Sequence, residues 1–160
     1  MGHYDQMQAC LNGHLITDHA QTKPQFRAKF CKRCGASAID CCPSCQAPIK
    51  GDYLASSVLV LGYTTPVPAY CENCGAAYPW RQAAIDNLSD VLRESMVSEQ
   101  DIAAVEATLP DVVRDTPKTE GAALKLKRLM GQLSRPTYEI AIKVVTDLAS
   151  EAAKKTMGLS

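Results

Sequence analysis

The fold of this chain is decided by residues 30–49, Phe30-Cys-Lys-Arg-Cys-Gly-Ala-Ser-Ala-Ile-Asp-Cys-Cys-Pro-Ser-Cys-Gln-Ala-Pro-Ile49. This stretch holds two Cys-x-x-Cys turns, Cys31/Cys34 and Cys42/Cys45. Such a turn, followed by Gly or carrying Pro after its first Cys, directs two sulfurs at one ion and is the usual source of tetrahedral zinc sites. The stretch is therefore predicted to bind metal.

Two further pairs flank this stretch, Cys10/His14 before it and Cys71/Cys74 after it. Asn-Gly inside Cys10-Leu-Asn-Gly-His14 supplies the positive φ that so tight a turn needs, which favours His14 as a ligand. His19 has no partner at a ligand spacing and is expected in solvent. Four pairs supply enough ligands for two closed Zn(II) sites per chain.

A weak internal repeat indicates how the pairs combine, because the first two pairs with their loop match the last two. Each half then reads as one zinc ribbon. The favoured sequential scheme joins Cys10, His14, Cys31 and Cys34 in one site, and Cys42, Cys45, Cys71 and Cys74 in the other. A cross-braced scheme, as in RING fingers, and a nested scheme that joins the two central pairs remain alternatives.

At Pro79-Trp80 the cysteine-containing segments end and apolar residues at helical spacing begin. This change predicts a double zinc ribbon over residues 1–79 and a helical bundle over 80–160. The fold class is thus a small zinc-stapled β structure followed by an all-α unit of about four helices. The first is expected over about 80–95 with Met96 in its apolar stripe, and the second is stopped by Pro110. The third lies between Thr116-Pro117 and Arg135-Pro136, and the fourth continues to near Gly158.

The charge and composition of the chain limit the classes of function that it can have. Formal net charge is zero, so the chain lacks the strongly basic character that indicates a nucleic-acid-binding protein. The start Met1-Gly-His-Tyr-Asp lacks the features of a secretory signal, so we expect a cytoplasmic protein with reduced thiols. Bound metal ions, and not disulfides, are then expected to stabilise its cysteine-rich part. The apolar run Val58-Leu-Val-Leu-Gly62 is too short to span a bilayer and is predicted to be a strand, so no membrane partner is expected.

Two features remain outside the predicted sites. Cys41, beside Cys42, could be a redox sensor or nucleophile, but a small side chain packed beside the turn is the favoured interpretation. The stretch 23–33 contains two Phe and is the best candidate for contacting nucleic acid, although the exposed face of a ribbon is often basic. Its basic residues are Lys23, Arg27, Lys29, Lys32 and Arg33.

The motifs Cys-x-Asn-Gly-His, Phe-Cys-x-x-Cys-Gly-Ala, Cys-Pro-x-Cys, Tyr-Cys-x-x-Cys-Gly and Tyr-Pro-Trp occur in this order. In this combination the chain resembles an uncharacterised bacterial family, domain of unknown function 2321, over nearly its whole length. The resemblance implies a bacterial cytoplasmic origin and a ligand role for His14, but no activity.

The sequence shows no catalytic constellation, since four pairs would saturate both ions and no phosphate-binding loop or nucleophile triad accompanies them. The expected function is a non-enzymatic interaction or adaptor module whose partner is another protein. A nucleic-acid-binding ribbon and a RING-like scaffold are the alternatives.

Overall fold

The computed structural model describes residues 1–56 and 62–159 and divides into two compact units, Met1–Ala83 and Ala84–Ser160. The predicted strand at Val58-Leu-Val-Leu-Gly62 falls on residues outside this described part, apart from its last residue. Each unit is considered by itself below.

The described residues of the N-terminal unit form two small antiparallel sheets. The strands are β1 (His3–Gln6), β2 (Gln8–Cys10), β3 (Leu15–Thr17), β4 (Ala38–Ile39) and β5 (Lys50–Leu54). One sheet pairs β1 with β5, and the other has the order β3-β2-β4. The predicted small β structure with its cysteine clusters is therefore confirmed.

The central strand β2 places the first Cys pair beside the second. In its pairing with β4, Ala9 lies opposite Ile39 and Cys10 lies opposite Ala38. Because Cys10 ends β2 and only three residues separate the Cys31/Cys34 turn from β4, the pairing of the two strands places these two turns side by side.

The hydrophobic core of this unit is thin. Its buried members are Met7, Cys42, Ile49, Cys71 and Tyr78. Two of these five are cysteines of the predicted sites, so a metal ion would anchor much of the core.

The C-terminal unit is helical, and the described chain contains six α-helices where about four were predicted. They are α1 (Pro79–Arg93), α2 (Glu99–Glu106), α3 (Leu109–Val112), α4 (Thr119–Met130), α5 (Arg135–Leu148) and α6 (Glu151–Met157). The higher number has two local causes.

The first cause is Pro110, which was expected to end a helix and instead lies in the first turn of α3. Proline suits that position because its missing N–H would have no partner there. The second cause is a break in the predicted last helix. Ala149 is extended, with φ −63° and ψ 142°, and the Ser150 side chain caps α6 by accepting a hydrogen bond from the Ala153 amide at 3.3 Å.

The predicted place of Met96 in the first apolar stripe is wrong. Helix α1 ends at Arg93, three residues before it, and the Met96 side chain is fully exposed. The remaining apolar stripes face one another and bury residues of all six helices, including Leu88, Ile102, Leu109, Leu126 and Val145.

Among the described residues, no helix combines the length and the apolar character that crossing a membrane would require.

Helix α4 offers a matched pair of leucines for testing this core. Leu126 is fully buried, whereas Leu124, two residues earlier, is 54% exposed. We expect Leu126→Ala to lower the free energy of unfolding by about 2–5 kcal/mol, because it leaves a cavity. Leu124→Ala should stay within about 0.5 kcal/mol of the parent. Urea unfolding followed by far-UV circular dichroism measures both, and equal losses would contradict the packing described here.

Candidate metal centres

Three of the four turns share one backbone geometry. In each, the residue after the second Cys donates its amide to the carbonyl of the first Cys at 2.8 Å. These donors are Gly35, Gln46 and Gly75, with φ angles of 71°, 62° and 74°. The left-handed conformation turns the chain back so that both sulfurs of a pair lie on the same side.

The turn Cys10–His14 has a similar backbone geometry, but its hydrogen bond to the Cys carbonyl comes from a residue three positions later instead of four. The Gly13 amide donates to the Cys10 carbonyl at 2.8 Å, and the Gly13 φ angle is 80°. A Cβ at this position would lie 2.9 Å from the Cβ of Trp80, closer than side chains approach in proteins. Glycine is therefore needed here both for its conformation and for the close approach of the indole.

The structure brings the first and second pairs together as group A, which consists of Cys10, His14, Cys31 and Cys34. The Sγ atoms of Cys10 and Cys34 are 3.8 Å apart. The Nδ1 atom of His14 lies 3.6 Å from Sγ of Cys10 and 3.6 Å from Sγ of Cys31.

The third and fourth pairs form group B, which consists of Cys42, Cys45, Cys71 and Cys74. The Sγ separations are 3.8 Å between Cys42 and Cys74 and 3.7 Å between Cys45 and Cys71. Pairing is thus first with second and third with fourth, which is the sequential arrangement.

These separations match a tetrahedral metal site. With metal–sulfur bonds of about 2.3 Å and metal–nitrogen bonds of about 2.1 Å, a regular tetrahedron places two sulfurs about 3.8 Å apart and a sulfur and a nitrogen about 3.6 Å apart. A disulfide would need sulfurs about 2.05 Å apart. All eight residues are therefore arranged as two groups that could each hold one metal ion.

Amide groups donate hydrogen bonds to the sulfurs of both groups. In group A, the His14 amide donates to Sγ of Cys10 at 3.3 Å, and the Asn12 side chain donates to Sγ of Cys34 at 3.4 Å. In group B, the Asn73 side chain donates to Sγ of Cys45 at 3.5 Å. Each Asn thus reaches across its group to a sulfur of the opposite turn.

The sequence analysis missed this role of the two asparagines. A signal was present, because each Asn stands two residues after the first Cys of its turn, in Cys10-Leu-Asn12 and Cys71-Glu-Asn73. Only the folded structure shows that the sulfur they contact belongs to the other turn.

Hydrogen-bond donors favour the thiolate form of Cys34 in group A and of Cys45 and Cys71 in group B. The Ala36 amide and the Asn12 side chain lower the pKa of Cys34 to about 6, and the amides of Cys74 and Asn73 lower the pKa of Cys71 to about 6. Burial has the opposite effect on Cys10, whose pKa it raises. Thiolate is the form that binds metal.

Two stacked aromatic side chains, Tyr78 and Trp80, contact residues of both groups or of their turns. Their rings stack with centroids 4.8 Å apart, and the Trp80 indole N–H donates to the Pro68 carbonyl at 2.9 Å. Tyr78 is 2% exposed and packs in the core with Cys71 of group B, while Trp80 lies against Gly13, within the Cys10–His14 turn of group A. Burial and the neighbouring Cys71 raise the pKa of the Tyr78 phenol.

Comparison with known families agrees with the motifs. The profile of domain of unknown function 2321, described as an uncharacterized protein conserved in bacteria, matches residues 3–157. The chain belongs to this family. The resemblance inferred from the motifs is thereby confirmed, and the match includes all eight residues of groups A and B. No curated protein and no solved structure matches the chain significantly.

In this member of the family, Cys41 lies outside both groups and is half-buried. Its sulfur accepts a hydrogen bond from the Gln6 side chain at 3.7 Å. Burial and the neighbouring Asp40 raise the pKa of the Cys41 thiol, which lowers its reactivity.

The expectation that His19 points into solvent is wrong. Its side chain is 22% exposed, and its Nδ1 lies 3.6 Å from the Asp5 carboxylate. Its Nε2 lies 3.7 Å from Asp18 and 3.9 Å from Asp52. This cluster could not be foreseen because the three carboxylates come from separate parts of the chain. In the described residues it is not a third group with metal-binding geometry.

The asparagine contacts can be tested directly. We expect Asn73→Ala to weaken metal binding by group B about 10- to 100-fold, the usual cost of removing a donor that orients a ligand. Competition with a chromophoric chelator measures the affinity. Asn87→Ala, at an exposed position of α1, is the matched control and should leave the affinity unchanged. Equal affinities of Asn73→Ala and the parent protein would show that the contact does not contribute.

Proposed function

We propose that each group binds one Zn(II) ion, so that the N-terminal unit is a tandem zinc ribbon. The ligands would be the three thiolates and the His14 Nδ1 of group A and the four thiolates of group B. Soft sulfur donors with at most one imidazole, in tetrahedral positions, are the preferred ligand set of zinc. The ions would hold together four turns that the thin core does not fix.

The proposed role of the zinc is structural and not catalytic. The observation that carries this proposal is the presence of four ligand atoms in each group, all within 4.8 Å of one another. A catalytic zinc keeps one position open for water or substrate, whereas four protein ligands close the shell.

Cobalt substitution tests this proposal. We expect two ions per chain and the absorption of tetrahedral cobalt thiolate, unchanged when cyanide or azide is added. A spectrum altered by these anions would reveal an open position and contradict the structural role. Elemental analysis of protein purified without chelator should give two zinc ions, and one ion or none would refute the double ribbon.

We further propose that the protein is a cytoplasmic, non-enzymatic adaptor whose partner is another protein. Support comes from exposed aromatic side chains in the N-terminal unit. Tyr4 and Tyr53 are 54% and 52% exposed and lie edge to face at 5.0 Å, with the Lys50 ammonium 5.0 Å from the Tyr4 ring centre. Exposed tyrosines are enriched at protein interfaces because they bury a large area at little entropic cost.

A photo-crosslinking amino acid at position 53 tests this partner. In living cells of the source bacterium, we expect discrete cross-linked products with a protein. The same amino acid at Thr146, an exposed position of α5, is the control and should not give these products. Identical products from both positions, or none from position 53, would contradict a protein partner at this surface.

A further inference from the structure

Both phenylalanines of the chain are exposed. Phe26 is 56% exposed and Phe30 is 62% exposed, so neither contributes to a core. Phe26 ends a short 3-10 helix, Pro24–Phe26, and Phe30 immediately precedes the Cys31/Cys34 turn. A single exposed apolar residue needs no explanation, but the exposure of both Phe side chains in one short segment does.

Positively charged residues flank these two Phe residues along the chain. Four exposed cations have no ion-pair partner within residues 1–56 and 62–159, and no acidic residue occurs between Asp18 and Asp40. These cations are Lys23, Lys29, Lys32 and Arg33. Together with Phe26 and Phe30 they are called the Phe-Lys surface below.

Arg27 differs from these four cations, although the sequence places it among them. Its guanidinium forms an ion pair with Asp40 and donates to the Ala20 carbonyl at 3.5 Å. The charge of Arg27 is therefore already neutralised within the protein. Among the described residues, the structure thus separates the basic residues of this stretch into one that is paired and four without an ion-pair partner.

The neighbouring group A does not cancel the positive charge. Three thiolates and a neutral imidazole around one Zn(II) ion carry a net charge of about −1. Four unpaired cations exceed this charge, so the Phe-Lys surface remains positive with the ion in place.

We propose that the Phe-Lys surface binds single-stranded nucleic acid. Free ammonium and guanidinium groups would contact phosphates, while the exposed Phe rings would stack on bases, which is how single strands are bound without sequence preference. The Cα atoms of Phe26 and Phe30 are at most about 14 Å apart, because four residues of extended chain cannot span more, and a strand of a few nucleotides covers that distance. One strand can therefore use both rings. This inference is independent of the protein-partner proposal.

The two kinds of side chain distinguish this ligand from other polyanions. A duplex keeps its bases stacked inside and offers Phe rings nothing to stack on, and an acidic protein segment uses the cations alone. We therefore expect single strands of DNA and RNA to bind more tightly than a duplex of the same length.

Fluorescence anisotropy of labelled oligonucleotides of about twelve nucleotides, mixed with zinc-loaded full-length protein, tests the proposal. We expect Phe30→Ala to weaken binding about tenfold, the usual effect of losing one base-stacking side chain, and Phe30→Tyr to retain it. The double variant Lys29→Gln/Lys32→Gln should make the slope of log affinity against log salt less negative by about 1.4, about 0.7 for each lost phosphate contact.

Two controls match these changes. Arg27→Gln/Asp40→Asn removes an ion pair without changing the net charge, and Lys125→Gln/Lys127→Gln removes two exposed charges from α4. Both should bind as the parent does, and zinc analysis together with far-UV circular dichroism verifies that each variant is folded.

Several outcomes would overturn the inference. These are no binding at low salt, duplex binding as tight as single-strand binding, and equal loss with the control variants. Binding that depends on the lysines but not on Phe26 or Phe30, and that an acidic peptide displaces, would instead assign the surface to an acidic protein. A difference between the RNA and DNA arms would identify which nucleic acid is preferred.

Discussion

Chelation of both metal ions is expected to unfold the N-terminal unit and to leave the helices of the C-terminal unit folded. Zinc binding in small modules contributes about 10–16 kcal/mol, and this free energy is folding free energy. Two of the five buried residues in the N-terminal core are cysteines of group B, so little core would remain without metal. The C-terminal unit has its own core of aliphatic side chains, which includes no cysteine.

Two signals separate these responses. Trp80 is the single tryptophan of the chain and lies against Gly13 and Tyr78, so its fluorescence reports on the N-terminal unit. Far-UV circular dichroism reports mainly on the helices. We expect the Trp80 emission to shift to the red after chelation while most helical dichroism persists.

Loss of the helical signal in step with metal release would contradict the independent folding of the two units. Unchanged Trp80 fluorescence after complete metal removal would contradict the structural role of the ions. Addition of zinc to the chelated protein should restore the emission.

Replacement of Cys42 is expected to release one of the two ions, whereas replacement of its neighbour Cys41 should release neither. Cys42 is 1% exposed, and its sulfur lies 3.8 Å from that of Cys74 within group B. A serine hydroxyl is a poor ligand for zinc, so Cys42→Ser leaves three ligands and exposes their thiols to alkylation.

Cys41→Ser is the matched control, because it makes the same change one residue away. The Cys41 sulfur belongs to neither group and accepts a long hydrogen bond from Gln6 at 3.7 Å. We expect both ions to stay bound and the free energy of unfolding to change by no more than about 1 kcal/mol.

Metal analysis and alkylation followed by mass spectrometry measure both variants. Loss of metal from Cys41→Ser with retention in Cys42→Ser would shift the ligand assignment by one residue. If both variants kept two ions, Cys42 would not be a ligand.

The sequence by itself determined the contents of the candidate sites. Cys-x-x-Cys turns are local devices, in which three or four consecutive residues direct two sulfurs to one side. The residue types and spacings therefore predict which side chains come together in pairs. Left-handed turns are likewise predicted by glycine, since few other residues adopt that conformation without strain, and they occur at Gly13, Gly35 and Gly75. The change from cysteine-rich segments to apolar stripes similarly indicates where β structure gives way to helices.

The way in which the pairs combine follows from strand pairing and not from sequence spacing. Sequence spacing allows sequential, cross-braced and nested schemes, whereas the pairing of β2 with β4 places Cys10 beside the turn that precedes Ala38. The same holds for Asn12 and Asn73, for the carboxylates around His19 and for the ion pair of Arg27 with Asp40. Each of these contacts joins segments separated along the chain. Local residue preferences carry no information about such contacts, because they form only when strand pairing and packing bring the segments together.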